Sequence, residues 1–243
     1  MANWSDPRMT AGRPVAPAVG ARDAVYDAGL RSYMLSVYNY MASAVLLTGV
    51  VAMLFAGSGF AAQVLNTPLK WLIMLAPLGF VMALSFGINR MSTATAQIVF
   101  WAFAVVMGLS MSSIFLIYTG TSIAQAFFAT SAAFAGLSLY GYTTKRDLSG
   151  MGSFLIMGVV GLIVASLLNL WLQSGVMNLV ISAVGVLIFA GLMAYDTQRI
   201  KSMYAYVAGT DMVGKTVIMG ALSLYLDFIN MFQFLLSFMG SRD

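Results

Sequence analysis

Cysteine, histidine and glutamate are all missing from this chain of 243 residues. Without cysteine it has no disulfide and no thiolate chemistry, and without histidine it has no imidazole base, ligand or pH switch. Metal sites built on sulfur or imidazole are excluded, which leaves oxygen ligands and the hard cations they suit. Charge is scarce as well: 8% of residues are charged, where a soluble domain carries about 25%. Every side-chain carboxylate belongs to one of eight aspartates. No nucleophile and base pair, metal cluster, phosphate-binding loop or motif of aspartate-based intramembrane proteolysis appears, so neither an enzyme nor a bound cofactor is expected.

What is present is apolar. Hydrophobic residues make up 60% of the chain and the mean hydropathy is +0.89, which marks an integral membrane protein. Runs of 18 or more apolar residues cross a hydrocarbon core about 30 Å thick at 1.5 Å per residue. Seven such runs occur, over residues 33–56, 70–88, 96–118, 121–142, 151–173, 177–195 and 216–239. Lipid offers no partners to backbone polar groups, and the runs do not alternate as barrel strands do, so the expected fold is all-α with seven transmembrane helices. Short loops leave no room for an inserted domain. Residues 1–31 are polar and rich in Pro, Ala and Gly, with no apolar signal-peptide core, and read as a flexible cytoplasmic tail ahead of a seven-helix domain over 32–243.

The positive charges orient the chain. The tail and the even-numbered loops hold Arg8, Arg13, Arg22, Arg31, Arg90, Lys145, Arg146, Arg199, Lys201 and Lys215, against only Lys70 and Arg242 on the other side. The positive-inside rule therefore places the N-terminus in the cytoplasm and the C-terminus outside. The net charge of +4 needs no nucleic-acid partner, because a basic face beside the anionic lipid bilayer accounts for it.

Polar groups at membrane depth are the candidates for function. Asn39, Gln125 and Asn169 are uncharged and read as groups that bond across to a neighbouring helix. Asp227 lies near the centre of the seventh run, where insertion costs a carboxylate about 2.5 to 3.5 kcal/mol. It must face the bundle interior, and Asn230, at i+3, shares its stripe. Asp196 closes the sixth run beside Arg199 and Lys201. By hydropathy it lies about half a bilayer from Asp227. Either the sixth helix continues through "DTQRIKSMY" and carries Asp196 deeper, or the two acids never meet.

"YDTQRI" (195–200) followed by "LSLYLDFINMF" (222–232) resembles the paired signature of the Bax inhibitor family, also called transmembrane Bax inhibitor motif proteins, with bacterial inner-membrane members the most similar. The likeness spans all seven runs. It implies a bundle whose C-terminal helix is wrapped by the other six and a multi-pass location in the inner membrane. It also implies that Asp196 and Asp227 form a buried di-aspartyl pH sensor governing a passive calcium leak. Two adjacent carboxylates cannot both ionise cheaply and so share a proton; once deprotonated they repel each other and attract Ca²⁺. Arg90, in "FGINRMS" (86–92), takes the family's place of a latch onto one aspartate. The second run, unlike that of some calcium-conducting relatives, contains no acid. The family implies a second reading too, in which the acids are structural and the tail contacts a membrane-bound protease or a stress or cell-death pathway.

Overall fold

Helices follow wherever the chain must satisfy its own backbone in lipid, and hydroxyl side chains mark where several of them begin. The structure, a computed structural model, describes residues 19–241. Among these there are nine helices and no β-strand: α1 (Val19–Gly57), α2 (Phe60–Leu65), α3 (Leu69–Gly87), α4 (Thr93–Met111), α5 (Ile114–Ile117), α6 (Gly120–Thr143), α7 (Ser149–Leu172), α8 (Gly175–Val207) and α9 (Val213–Met239). Ser92, Thr119 and Ser174 each accept a backbone N–H three residues on and so cap α4, α6 and α8. Seven spans are long and apolar enough to cross a membrane, with α4 and α5 counting as one. The break between those two falls at Ser112, whose hydroxyl bonds the carbonyl of Leu109 at 2.7 Å and competes with the helical ladder.

The C-terminal helix is central, as expected. In α9 67% of the most apolar window is buried, against at most 33% in any other span. Four helices, α1, α4, α6 and α8, pack directly on it, while α3 lies outside on α4 and α7 outside on α8. The wrapping by six helices that the family likeness implies is thus a ring of four with two outriders. Polar ties reinforce the ring. Tyr225 of α9, fully buried, sits 2.7 Å from the Thr48 hydroxyl of α1, which donates to the Ala104 carbonyl of α4 at 2.8 Å. Gly141 brings α6 against α8 so closely that a Cβ there would lie 2.3 Å from the Ala194 carbonyl oxygen.

The seven spans alternate in direction, which gathers Arg31, Arg90, Lys145, Arg146, Arg199, Lys201 and Lys215 at one end of the bundle. Lys201 donates to the Tyr142 carbonyl at 2.7 Å, tying the α8 and α6 termini there. At the opposite end Ser182 of α8 donates to Ser237 of α9 at 3.0 Å.

Three expectations change. The tail drawn over residues 1–31 lies outside the described residues up to position 18, and so does any partner contact made there; from Val19 the chain is helical. No proline interrupts it between Pro17 and Pro68, Leu30 is buried, and Tyr26 packs on Tyr204 of α8 with ring centroids 5.2 Å apart, so the segment belongs to the bundle. Asn169 does not reach another helix: its side-chain oxygen accepts the Ser174 N–H at 3.1 Å and closes the turn after α7. Asn39 and Gln125 face outward. A span of about 20 residues counted back from Gly57 leaves Asn39 near the membrane border, where an exposed amide costs little.

Candidate functional site: a carboxyl pair between α8 and α9

The sixth span does not end at its first charge. "DTQRIKSMYAYV" contains neither glycine nor proline, and α8 runs through it until Gly209, at φ 75°, turns the chain. The register against α9 is set by contacts at intervals along the seam. Phe189 stacks on Phe234 at 5.8 Å, and Ile200 packs over Gly220. Between these two contacts the antiparallel helices bring Asp196 opposite Asp227. The two carboxyl groups lie within hydrogen-bonding and electrostatic reach of each other. The depth difference inferred from hydropathy disappears because α8 projects well past Tyr195 and the two helices are offset along their seam.

Asp227 is 5% exposed, and its Oδ2 is buried without a hydrogen-bond partner. The partner within reach of that carboxyl is Asp196, so a proton held between the two is what satisfies it. Both carboxyls line a cavity of about 650 Å³ between α7, α8 and α9. Its wall toward α7 is apolar apart from Ser166, with Ile163 and Leu167 exposed. Asn230 also lines it. That side chain donates to the Leu226 carbonyl at 2.7 Å, which leaves its amide oxygen as the atom free to accept.

The cation beside the pair is Arg199, at i+3 from Asp196, acting on that carboxyl electrostatically. Arg90 is elsewhere: it is exposed in the turn after α3, and among the described residues nothing pairs it with either aspartate. Sequence reasoning placed Arg199 merely beside Asp196 at the interface; the i+3 spacing was the available signal. It also missed Tyr195, which lines the cavity with Arg199, and Gln198, which clamps the α6–α7 turn. Gln198 donates to the Arg146 carbonyl and accepts the Leu148 N–H, both at 2.8 Å. On that turn Asp147 is held below the usual carboxylate range by the hydroxyl and N–H of Ser149.

A bundle of seven membrane-length helices with a carboxyl pair between its central helix and α8 defines a class of polytopic membrane protein built around intramembrane acids. The family follows from comparison. A protein-family model described as "Inhibitor of apoptosis-promoting Bax1" matches residues 30–243, and the chain belongs to this Bax inhibitor family. It is 51% identical to an uncharacterized protein of Rickettsia prowazekii (strain Madrid E) over 224 residues, 91% of this chain and 94% of that one. It is 43% identical to the inner membrane protein YbhL of Escherichia coli (strain K12) over 219 residues, 88% of this chain and 94% of that one. An uncharacterized membrane protein of Streptococcus pyogenes serotype M3 is 37% identical over 223 residues, 89% of this chain and 96% of that one.

Proposed function

We propose that this chain is a multi-pass protein of the inner membrane, its basic end in the cytoplasm, that permits passive Ca²⁺ flux governed by protonation of the Asp196–Asp227 pair. The observation that carries the reading is the meeting of the two carboxyls across the α8–α9 seam inside one cavity. The location draws on the name of the Escherichia coli relative and on the positive-inside rule.

The physical sequence is short. With one proton between them the two carboxyls attract, and the seam is closed. Loss of that proton leaves like charges side by side in a medium of low dielectric constant, where repulsion is strong. α9 is held on its far side by the Tyr225–Thr48–Ala104 chain, so the strain falls on α8. A shift between two arrangements of the seam follows. The same charges attract a cation. Ca²⁺ takes six to eight oxygen ligands, and here two carboxylates and the Asn230 amide oxygen supply three to five of them, according to whether each carboxylate binds through one oxygen or two, which leaves the rest to water; no group of three or more His, Cys, Asp or Glu side chains is found among the described residues. Such a site suits an ion in transit that keeps much of its water rather than one held in residence.

The test is Ca²⁺ entry into dye-loaded proteoliposomes across a pH series from about 6 to about 8, since a coupled carboxyl pair titrates as one unit. The reading expects entry above that of protein-free liposomes and dependent on pH. Entry no faster than in protein-free liposomes at every pH overturns it.

A further inference from the structure

The basic end of the bundle contains a second cavity, of about 350 Å³, bounded by the α6–α7 turn, the start of α7 and the last turns of α8. Three cations line it, Lys145, Arg146 and Arg199, against the single carboxylate of Asp147. That carboxylate already accepts the Ser149 N–H at 2.9 Å. Lys145 and Arg146 are exposed, and their side chains have no ion-pair or hydrogen-bond partner among the described residues. The turn that carries them is fixed, because Gln198 bonds it at both the Arg146 carbonyl and the Leu148 N–H. Two unpaired cations on a clamped turn, facing a third on a helix across a hollow, differ from the scattered charges that the positive-inside rule alone requires.

We propose that this pocket binds a phosphate-bearing anion, through Lys145 and Arg146 with Arg199 as the third donor. Basic pockets between membrane helices recognise anionic headgroups by the same chemistry, and guanidinium and ammonium groups both bind phosphate well. The source is either a lipid headgroup or free phosphate. The start of α7 offers a place for acyl chains, since Phe154, about one and a half turns beyond Ser149, is 69% exposed. This inference does not rest on the calcium reading, although Arg199 lines both cavities.

Thermal unfolding of the full-length protein in neutral detergent tests it, with added phosphatidylglycerol, phosphatidylcholine of the same chains, inorganic phosphate, or sodium chloride at matched ionic strength. A ligand present at a hundredfold its dissociation constant raises the unfolding midpoint of a chain this size by about 5–10 °C. The expected result is such a rise with phosphatidylglycerol or inorganic phosphate, absent with phosphatidylcholine and sodium chloride, and lost in the Lys145→Gln, Arg146→Gln double variant. That variant removes exposed side chains without fold contacts, so its midpoint without ligand should match the wild type. A rise with phosphatidylglycerol alone identifies the lipid headgroup as the source, and a rise with inorganic phosphate identifies free phosphate. No rise with either anion, or an equal rise in wild type and double variant, overturns the proposal.

Discussion

The hydroxyl chain at the centre of the bundle yields an asymmetry that mutation can read. Thr48 has one hydroxyl proton and gives it to the Ala104 carbonyl at 2.8 Å, so the 2.7 Å contact with Tyr225 has the tyrosine donating. Tyr225→Phe removes the donor and its bond together and leaves Thr48 still bonded to Ala104. The loss is one hydrogen bond, about 0.5–1.5 kcal/mol, and nearer 0.6 if the average for bonds between membrane helices applies. Thr48→Val keeps the shape but leaves the Tyr225 O–H without an acceptor at a residue with no exposure, which costs about 1–3 kcal/mol. In the double variant no orphan remains, so Tyr225→Phe added to Thr48→Val should restore stability rather than reduce it further. Reversible unfolding in mixed micelles measures all four proteins, and the coupling energy follows from the cycle. Tyr225→Phe costing more than Thr48→Val, or the two costs simply adding, would refute the assigned direction of donation.

Three further outcomes follow from the geometry. Gly141→Ala places a methyl 2.3 Å from the Ala194 carbonyl oxygen, a backbone atom that cannot turn away, and should cost about 1–3 kcal/mol; Gly136→Ala, inside α6 with nothing within 4 Å, should instead stabilise by about 0.4–1 kcal/mol in the same micelle unfolding measurement. Asp147 is held low by Ser149, so its stabilising contribution is present above the unfolded carboxylate value and is lost as pH falls through the folded one. Amide exchange at Ser149 and Gly150, corrected for intrinsic rates, should then quicken below about pH 4 in the wild type but not in Asp147→Asn; a wild-type rate indifferent to acid contradicts this. Arg199→Gln should displace the pH profile of Ca²⁺ flux while Arg90→Gln leaves it in place, because of these two arginines it is Arg199 that acts on Asp196; the opposite pattern restores Arg90 as the latch.

Hydropathy reveals the spans because hydrocarbon tolerates little else, and the seven runs coincide with seven helices to within a few residues at most ends. It fails where a helix outlives its apolar stretch. The charges from Asp196 to Lys201 end a hydropathy window, yet nothing in that sequence breaks a helix before Gly209, and α8 continues for three turns past Tyr195. The same error hid the start of α1, which is polar but carries Leu30 and Tyr26 into contact with the bundle. That Asp227 must face inward was legible from its cost alone. That it meets Asp196 was not, because the register of two antiparallel helices is fixed by contacts distant in sequence, such as Phe189 on Phe234 and Ile200 over Gly220. Only the family likeness had joined the pair. Arg90 illustrates the converse: a position matched by likeness sits in an exposed turn, and the neighbouring cation came from one helical turn away on the same helix.

The measurement that bears most directly on the carboxyl pair is Ca²⁺ flux as a function of pH in Asp196→Asn, Asp227→Asn and the double variant, with correct folding checked by unfolding midpoint. If the two groups share one proton and act as a unit, each single substitution removes the pH response, and the double variant behaves like either single one. Should one single variant keep the wild-type pH profile, or the two effects combine additively, the carboxyls act separately and the coupled sensor is wrong.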